Sequence, residues 1–476
     1  MGLPRVLSAP MSDPVVLRFE HGTLVATGPA DRLATLESYL TPDPRTGGHR
    51  ALALRYRDVV LTLHHDKVPY VDRARAFEPT SWSLTKPFEP FPHQAEALQA
   101  WVAAQKRGIV ELPTGAGKTF LAVLAIVEVG RPTLVVVPTI DLMVQWKRVL
   151  AEHLGVPVGL VGGGEKDLQA ITVTTYDSAQ IQTEFWGNRF GLLVCDECHH
   201  LPAPAYRFIA EGSLAPFRLG LTATLERADG GEAVAEMLLG PRVYRASIES
   251  LEGDYLAPYE VRTVPVSLTD EEQERYDFAR TEYLTFLRST GIILSQPGGW
   301  ARFIVRCHQS DEGRAAFLAY RTQRRIALTS EGKLDALWSI LITHKDDRII
   351  VFTEDNETVH MLSRRFLFPT ITHRTKPTER VALLRAFSEG TLPVLLTSKV
   401  LNEGVDVPEA NVGVVLSGSG SVREHVQRLG RILRKRPEKR AVLYEVHSEV
   451  AAESNLRERR RQHEAYARAR ETPESC

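Results

Sequence analysis

Cysteine is scarce in this chain. The 476 residues hold four, at positions 195, 198, 307 and 476, too few and too scattered for a disulfide framework, so the fold must rest on buried apolar surface and the setting it fits is the reducing cytoplasm. Long hydrophobic runs are missing as well. No apolar stretch approaches the roughly 20 residues that cross a bilayer, and the first residues lack the basic segment, hydrophobic core and small-residue cleavage site of a secretory leader; neither a membrane protein nor a secreted one is expected. An excess of charge of either sign is absent too. The formal net charge of −1 gives no global pull toward a polyanion, yet arginines crowd the C-terminal end, so any such contact has to come from local surfaces. No short-period repeat, coiled-coil heptad or low-complexity tract is found. The length exceeds what one hydrophobic core organises, and roughly three units of about 150 residues are expected.

What is present is a rhythm of strands and helices. Val15 to Phe19 and Leu24 to Thr27 flank Glu20-His21-Gly22-Thr23 like the arms of a hairpin, and Asp31 to Leu40 reads as a helix. After the proline-spaced stretch Phe77 to Pro92, apolar strands at Ile109 to Leu112, Thr133 to Val137, Leu192 to Cys195 and Arg218 to Leu221 alternate with helix-length segments, the pattern of a parallel sheet. Between Thr269 and Arg325 strand signals fade into charged, helix-favouring sequence, then resume at Arg348 to Phe352, Val394 to Thr397, Val412 to Leu416 and Val442 to Val446. The expectation is an α/β chain: a small α+β block over 1–80, an α/β lobe over 81–255, a helical insert over 256–325, a second α/β lobe over 326–450 and a basic tail over 451–476.

The chemistry concentrates where strands end. Pro113, Thr114, Gly115, Ala116, Gly117, Lys118 and Thr119 follow the first of the parallel strands and open directly into a helix. Glycines there let consecutive amide hydrogens point at a polyphosphate, Lys118 supplies a point charge near the β- and γ-phosphates, and the Thr119 hydroxyl suits Mg²⁺. Leu112 stands where the generic phosphate-loop pattern has glycine. Downstream, Asp196 and Glu197 end another strand; Asp196 can hold Mg²⁺ while Glu197 orients and deprotonates an attacking water, although a solvated acidic turn would use the same residues. Cys195-x-x-Cys198 with His199 and His200 imitates half of a zinc site, but no second Cys-x-x-Cys closes it. Thr222-Ala223-Thr224 closes a strand with two hydroxyls. Pro138-Thr139 and Thr175 end strands at helix starts, where hydroxyls and amide hydrogens could grip backbone phosphates. In the second lobe Gln427 precedes Arg431 and Arg434, which are three apart and share a helix face, so that both guanidiniums can address a γ-phosphate.

Taken in this order, Lys118, Asp196-Glu197, Thr222-Ala223-Thr224 and Gln427 to Arg434 resemble the motifs of superfamily 2 helicases. More narrowly the chain is similar to the XPB family of DNA repair and transcription helicases, through Leu112 to Thr119, Asp196-Glu197-Cys198-His199, Val173 to Ala179 and Ala53 to Val60. The resemblance implies two RecA-like motor domains, an N-terminal damage-recognition-like domain and a thumb-like helical insert. It further implies ATP and Mg²⁺ as cofactors, 3′→5′ movement on single-stranded, forked or damaged DNA, and a nuclease partner. Carried over by motif, Gln94 matches the adenine-reading glutamine, and Gly404 and Asp406 the motif near ribose and DNA; Pro138, Thr139, Thr175, Arg227, Asp229 and Thr397 are the candidate DNA contacts. The Arg-Glu-Asp loop of the family aligns with Arg227-Ala228-Asp229, which lacks the central carboxylate. A translocase that never unwinds, or a motor subunit of a nuclease or restriction assembly, therefore stays open beside a strand-separating helicase.

Overall fold

A computed structural model describes residues 13–45, 47–226, 230–251, 255, 259–294, 296, 298–398, 410–416 and 441–450. It divides into two compact units, Met1–Ala246 and Ser247–Cys476.

The first unit opens with a five-stranded sheet, β1 (Val15–Glu20), β2 (Thr23–Thr27), β3 (Thr41–Asp43), β4 (Gly48–Leu52) and β5 (Tyr70–Arg73), in the order β3-β4-β2-β1-β5. The β1–β2 hairpin turns at His21 and Gly22, both with positive φ (46° and 75°), as the two-residue turns that match strand twist require. A side chain at Gly22 would also strike the Phe208 ring of the adjoining layer. The helix expected over 31–40 is cut short: α1 (Ala30–Ala34) gives way to turns, where Thr35 Oγ1 donates to the Arg32 carbonyl and offers the backbone an alternative to helix. α2 (Tyr56–His65) buries Tyr56, Val59 and Leu63 against the sheet core.

The larger sheet of this unit contains β6 (Arg107–Glu111), β7 (Thr133–Val137), β8 (Val158–Gly162), β9 (Glu165–Lys166), β10 (Ile171–Thr175), β11 (Leu192–Asp196), β12 (Phe217–Thr222) and β13 (Arg242–Arg245). Their order is β13-β6-β12-β11-β7-β10-β8-β9, and every pairing is parallel except β8 with β9. The central strands are buried along their length, as strands covered by helices on both faces must be. Those helices are α3 (Pro92–Ala103), α4 (Lys118–Val129), α5 (Ile140–Leu154), α6 (Tyr176–Trp186), α7 (Arg207–Glu211) and α8 (Glu232–Leu239).

The second unit contains α9 (Ile248–Leu251) and a six-stranded, wholly parallel sheet: β14 (Tyr259–Val266), β15 (Ile349–Phe352), β16 (Thr370–Ile371), β17 (Val394–Thr397), β18 (Val412–Val415) and β19 (Ala441–Ser448), ordered β14-β19-β18-β15-β17-β16. One expectation needs correcting. Residues 259–266, expected within the helical insert, form β14 instead, paired with β19 from Tyr259↔Ala441 to Val266↔Ser448. The helical part proper begins at Thr269, whose hydroxyl accepts from the Glu272 amide while Glu272 Oε2 accepts from the Thr269 amide, a reciprocal cap. It comprises α10 (Asp270–Thr290), α11 (Gly299–Cys307) and α12 (Asp311–Thr329). α13 (Glu331–Thr343) and α14 (Asn356–Phe366) pack into the core of the sheet, and α15 (Pro377–Ser388) precedes β17.

Candidate nucleotide site

Parallel strands all point their carboxyl ends one way, so the loops after β6, β11 and β12 and those after β7 and β10 gather on one edge of the first unit's large sheet. The cradle lies there. Gly115 and Gly117 have φ of 89° and 82°, a region that costs other residues about 1–2 kcal/mol. A Cβ at Gly117 would sit 2.1 Å from Gln94 Nε2. Leu112, the departure from the generic pattern, is buried; its amide donates to the Thr222 carbonyl at 2.9 Å and its own carbonyl accepts from Lys118 Nζ at 3.1 Å. The leucine thus anchors the loop to β12 while its backbone holds the lysine head over the turn.

Gln94 supports the loop from below. Its Oε1 accepts from the Phe91 amide at 3.0 Å, its Nε2 donates to the Ala116 and Gly117 carbonyls at 3.4 and 3.3 Å, and His93 Nε2 lies 2.9 Å from the same Ala116 oxygen. Pro113 packs beside this turn, its carbonyl accepting from the Ala116 amide at 3.2 Å. Thr114 Oγ1 is buried with no hydrogen-bond partner among the described residues, and Thr119 begins the second position of α4.

Asp196 ends β11 and is only 6% exposed. Trp146 Nε1 donates to its Oδ2 at 2.9 Å, and the Glu197 amide to its Oδ1 at 3.1 Å. Burial and the neighbouring Glu197 push the Asp196 carboxyl up to about 6, against the opposing pull of Lys118 and the Trp146 hydrogen bond. Glu197 stands in the left-handed region at φ 47°, a conformation that a non-glycine residue adopts only when its surroundings hold it. Its Oε2 lies 3.4 Å from His199 Nδ1 and 3.5 Å from Thr222 Oγ1, and His199 Nδ1 lies 3.1 Å from that hydroxyl. Thr222 also donates to the Thr224 carbonyl at 2.9 Å. Glu197, His199 and Thr222 therefore form one linked group from two neighbouring strands. Such a set suits the orientation of a water against a phosphate: a carboxylate to take its proton, and a hydroxyl and an imidazole to hold that carboxylate.

Sequence reasoning singled out Asp196, Glu197 and Thr222 but missed three partners. Trp146, Tyr176, whose hydroxyl donates to the Asp196 carbonyl at 2.9 Å, and His199 as a support for Glu197 depend on contacts between distant segments. The Cys195 and Cys198 thiols are buried, and burial raises both, Cys195 to about 12; held as neutral thiols in the core, they pack rather than ligate.

Pro138 and Thr139 follow β7, and Val137 pairs with Thr175 at the end of β10, so these residues are neighbours on the same edge. Both threonines cap helices: Thr139 Oγ1 accepts from the Leu142 amide and Thr175 Oγ1 from the Ser178 amide, each at 3.3 Å. In the second unit Thr397 is buried, its hydroxyl within 3.1 Å of the Ile371 and Ser398 carbonyls. Arg227, Asp229, Gly404, Asp406, Gln427, Arg431 and Arg434 lie outside the described residues.

Comparison with known proteins bears on this geometry directly. Residues 87–227 match the family of the type III restriction enzyme res subunit, residues 332–436 the helicase conserved C-terminal domain, and residues 17–74 the Xeroderma pigmentosum group B helicase damage recognition domain. The DNA 3'-5' translocase XPB2 of Sulfurisphaera tokodaii is 42% identical over 414 residues, 87% of this chain and 94% of that one. The chain belongs to the XPB family. Another XPB relative, the DNA 3'-5' helicase XPB of Mycobacterium tuberculosis, is 32% identical over 360 residues, and the match covers 73% of this chain and 58% of that longer protein. The Hef helicase domain of Pyrococcus furiosus, with a TM-score of 0.53 and 18% identity, covers 77% of this chain and 97% of that domain, a likeness of fold.

Proposed function

We propose that this XPB-family protein is an ATP-driven DNA motor that moves 3′→5′ on single-stranded, forked or damaged DNA in repair. The observation that carries the reading is the meeting, on one sheet edge, of the glycine cradle with its tethered lysine, the buried Asp196, and Glu197 backed by His199 and Thr222. Hydrolysis of ATP follows from the chemistry of that set; DNA as the track follows from family membership and from the paired caps at Thr139 and Thr175 beside it. In this reading Thr119 and Asp196 would hold Mg²⁺, which would supply compensating positive charge to the nucleotide, and Lys118 addresses the β- and γ-phosphates. Gln94 shapes the cradle and meets the base, and the motifs that hold Gly404, Asp406, Gln427, Arg431 and Arg434 imply a part for these residues in nucleotide hydrolysis. Cytoplasmic location and a nuclease partner belong to the same proposal. No helix among the described residues is long and apolar enough to cross a membrane.

The deciding experiment is phosphate release from the full chain with and without single-stranded, duplex and forked DNA: stimulation by DNA is expected, and equal rates with and without it would overturn the reading. The alternative, a translocase that does not separate strands, is favoured by Ala228 in place of the acidic residue of the opening loop. Displacement of a triplex strand without displacement of a duplex strand would establish that alternative.

Asp196 also sets an expected pH dependence. Because folding raises its affinity for a proton, this carboxyl favours the native state at low pH; that contribution is full below 3.8 and gone above about 6. A cation bound there competes with the proton. The thermal stabilisation by Mg²⁺ with ADP, relative to ADP in chelator, should therefore be larger at pH 8 than at pH 5, and Asp196→Asn should flatten the difference. Equal stabilisation at both pH values in the unaltered protein would separate Asp196 from the cation.

A further inference from the structure

Two helices of the first unit begin at candidate DNA grips and also reach Asp196. β11, β7 and β10 are neighbours in the large sheet, and α5 and α6 follow β7 and β10 through the caps Thr139 and Thr175. Two turns into α5, roughly 10 Å along its axis, Trp146 is buried, and its Nε1 donates to Asp196 Oδ2 at 2.9 Å. Tyr176 opens α6 and is buried as well; its hydroxyl donates to the Asp196 carbonyl at 2.9 Å, and its ring centroid lies 5.8 Å from that of His200. One helix therefore holds the carboxylate of Asp196 and the other its main chain. Trp101 shows that packing alone does not require this: its equally buried indole donates at 2.8 Å to the carbonyl of Arg218, near the amino end of β12 and away from the cradle.

Buried hydrogen bonds of this length are short-ranged and directional, so a helix start that shifts by roughly half an ångström carries Asp196 with it or weakens the bond. We infer that Trp146 and Tyr176 are positioning residues that couple DNA gripped at the starts of α5 and α6 to the placement of Asp196 in the nucleotide site. This deepens the proposed function and rests on it. DNA phosphates at Thr139 or Thr175 act on the helix starts; Trp146 passes the α5 part of that pull to the carboxylate that would hold the cation, and Tyr176 passes the α6 part to the backbone that leads into Glu197. Coupling of this kind is reciprocal: DNA alters the affinity for nucleotide by the same factor as nucleotide alters the affinity for DNA.

Trp146→Phe and Tyr176→Phe test this on the full chain, with Trp101→Phe as the control for a lost indole and the space it leaves. Tyr176→Phe removes a single hydroxyl and keeps the ring packed, so it reads the coupling even where the smaller ring at 146 loosens the core. Two ratios are measured: phosphate release with over without oligothymidylate, and affinity for a non-hydrolysable ATP analogue in Mg²⁺ with over without the same oligonucleotide. Both should move toward one by about threefold or more in Trp146→Phe and in Tyr176→Phe and stay within about twofold of the unaltered protein in Trp101→Phe. Nucleotide-free binding of a fluorescent oligothymidylate should change by less than about twofold in all three, because the Thr139 and Thr175 hydroxyls remain. The inference is overturned if either variant keeps the unaltered ratios, if Trp101→Phe lowers them as far, or if nucleotide-free DNA binding falls in step with them, which would make the aromatics part of the grip itself. It is overturned as well if the unaltered protein, though stimulated by DNA, shows an affinity ratio of one. Stimulation of the unaltered protein with unmoved ratios in the variants removes only the relay; an unaltered protein that neither binds the oligonucleotide nor is stimulated by it removes the motor reading itself.

Discussion

Lys118→Ala is expected to lower DNA-stimulated ATP hydrolysis by about 10²-fold or more, with little change in melting temperature. The ammonium is held over the cradle by the Leu112 carbonyl and has no carboxylate partner among the described residues, so its charge remains available to a phosphate. Removing it takes away a fixed positive charge where negative charge accumulates. It also takes away the main electrostatic influence that keeps the Asp196 proton loose, so that carboxyl moves further up and competes with Mg²⁺ more strongly. Nucleotide affinity and turnover should fall together. The fold has little reason to suffer: alanine is the strongest helix former, position 118 opens α4, and the lost tether is one partly buried hydrogen bond worth about 1 kcal/mol. Phosphate release and a thermal melt on the same preparation test both halves, and a variant that hydrolyses at the unaltered rate would remove the lysine from the chemistry.

The parts of this architecture that could be read in the sequence are those where local pattern and tertiary environment demand the same thing. Thr133–Val137 and Val394–Thr397 read as strands and are found with the same bounds, because a strand buried on both faces is a short, nearly unbroken apolar run. The phosphate loop and Asp196-Glu197 were legible for a related reason: their residue types are fixed by what a turn and a strand end must do. β14 was not. Tyr259-Glu260-Val261-Arg262-Thr263-Val264-Pro265-Val266 breaks its alternation at Arg262-Thr263, contains proline and keeps an edge position, and its pairing partner lies at Ala441–Ser448, so its local strand signal is weak beside the charged segment that follows. Trp146 and Tyr176 were invisible for the opposite reason. Each looks like an ordinary core aromatic on its helix, and its polar atom acquires meaning only when β11 brings Asp196 beside it.

Glu197→Gln should separate what Lys118→Ala merges. The substitution keeps side-chain length and the hydrogen-bonding reach toward His199 and Thr222 but removes the group that can accept a proton from water. Loss of a positioned general base lowers hydrolysis by about 10²- to 10⁴-fold. Binding should survive and even tighten, on two counts. Glu197 is a carboxylate close to where a triphosphate's charge would rest, and it is also the second largest influence, after burial, that raises the Asp196 carboxyl. With glutamine at 197, Asp196 returns toward the ordinary carboxylate range, ionises more fully near neutral pH and holds a cation better. The variant should therefore bind an ATP analogue in Mg²⁺ at least as tightly as the unaltered protein while releasing almost no phosphate, and its Mg²⁺-dependent stabilisation should persist to lower pH. Backbone geometry gives no reason for collapse, since glutamine meets the left-handed φ of 47° on the same terms as glutamate. Turnover above about a tenth of the unaltered rate would show that the proton goes elsewhere, and His199, 3.1 Å from the Thr222 hydroxyl and 3.4 Å from the Glu197 carboxylate, would then be the group to remove.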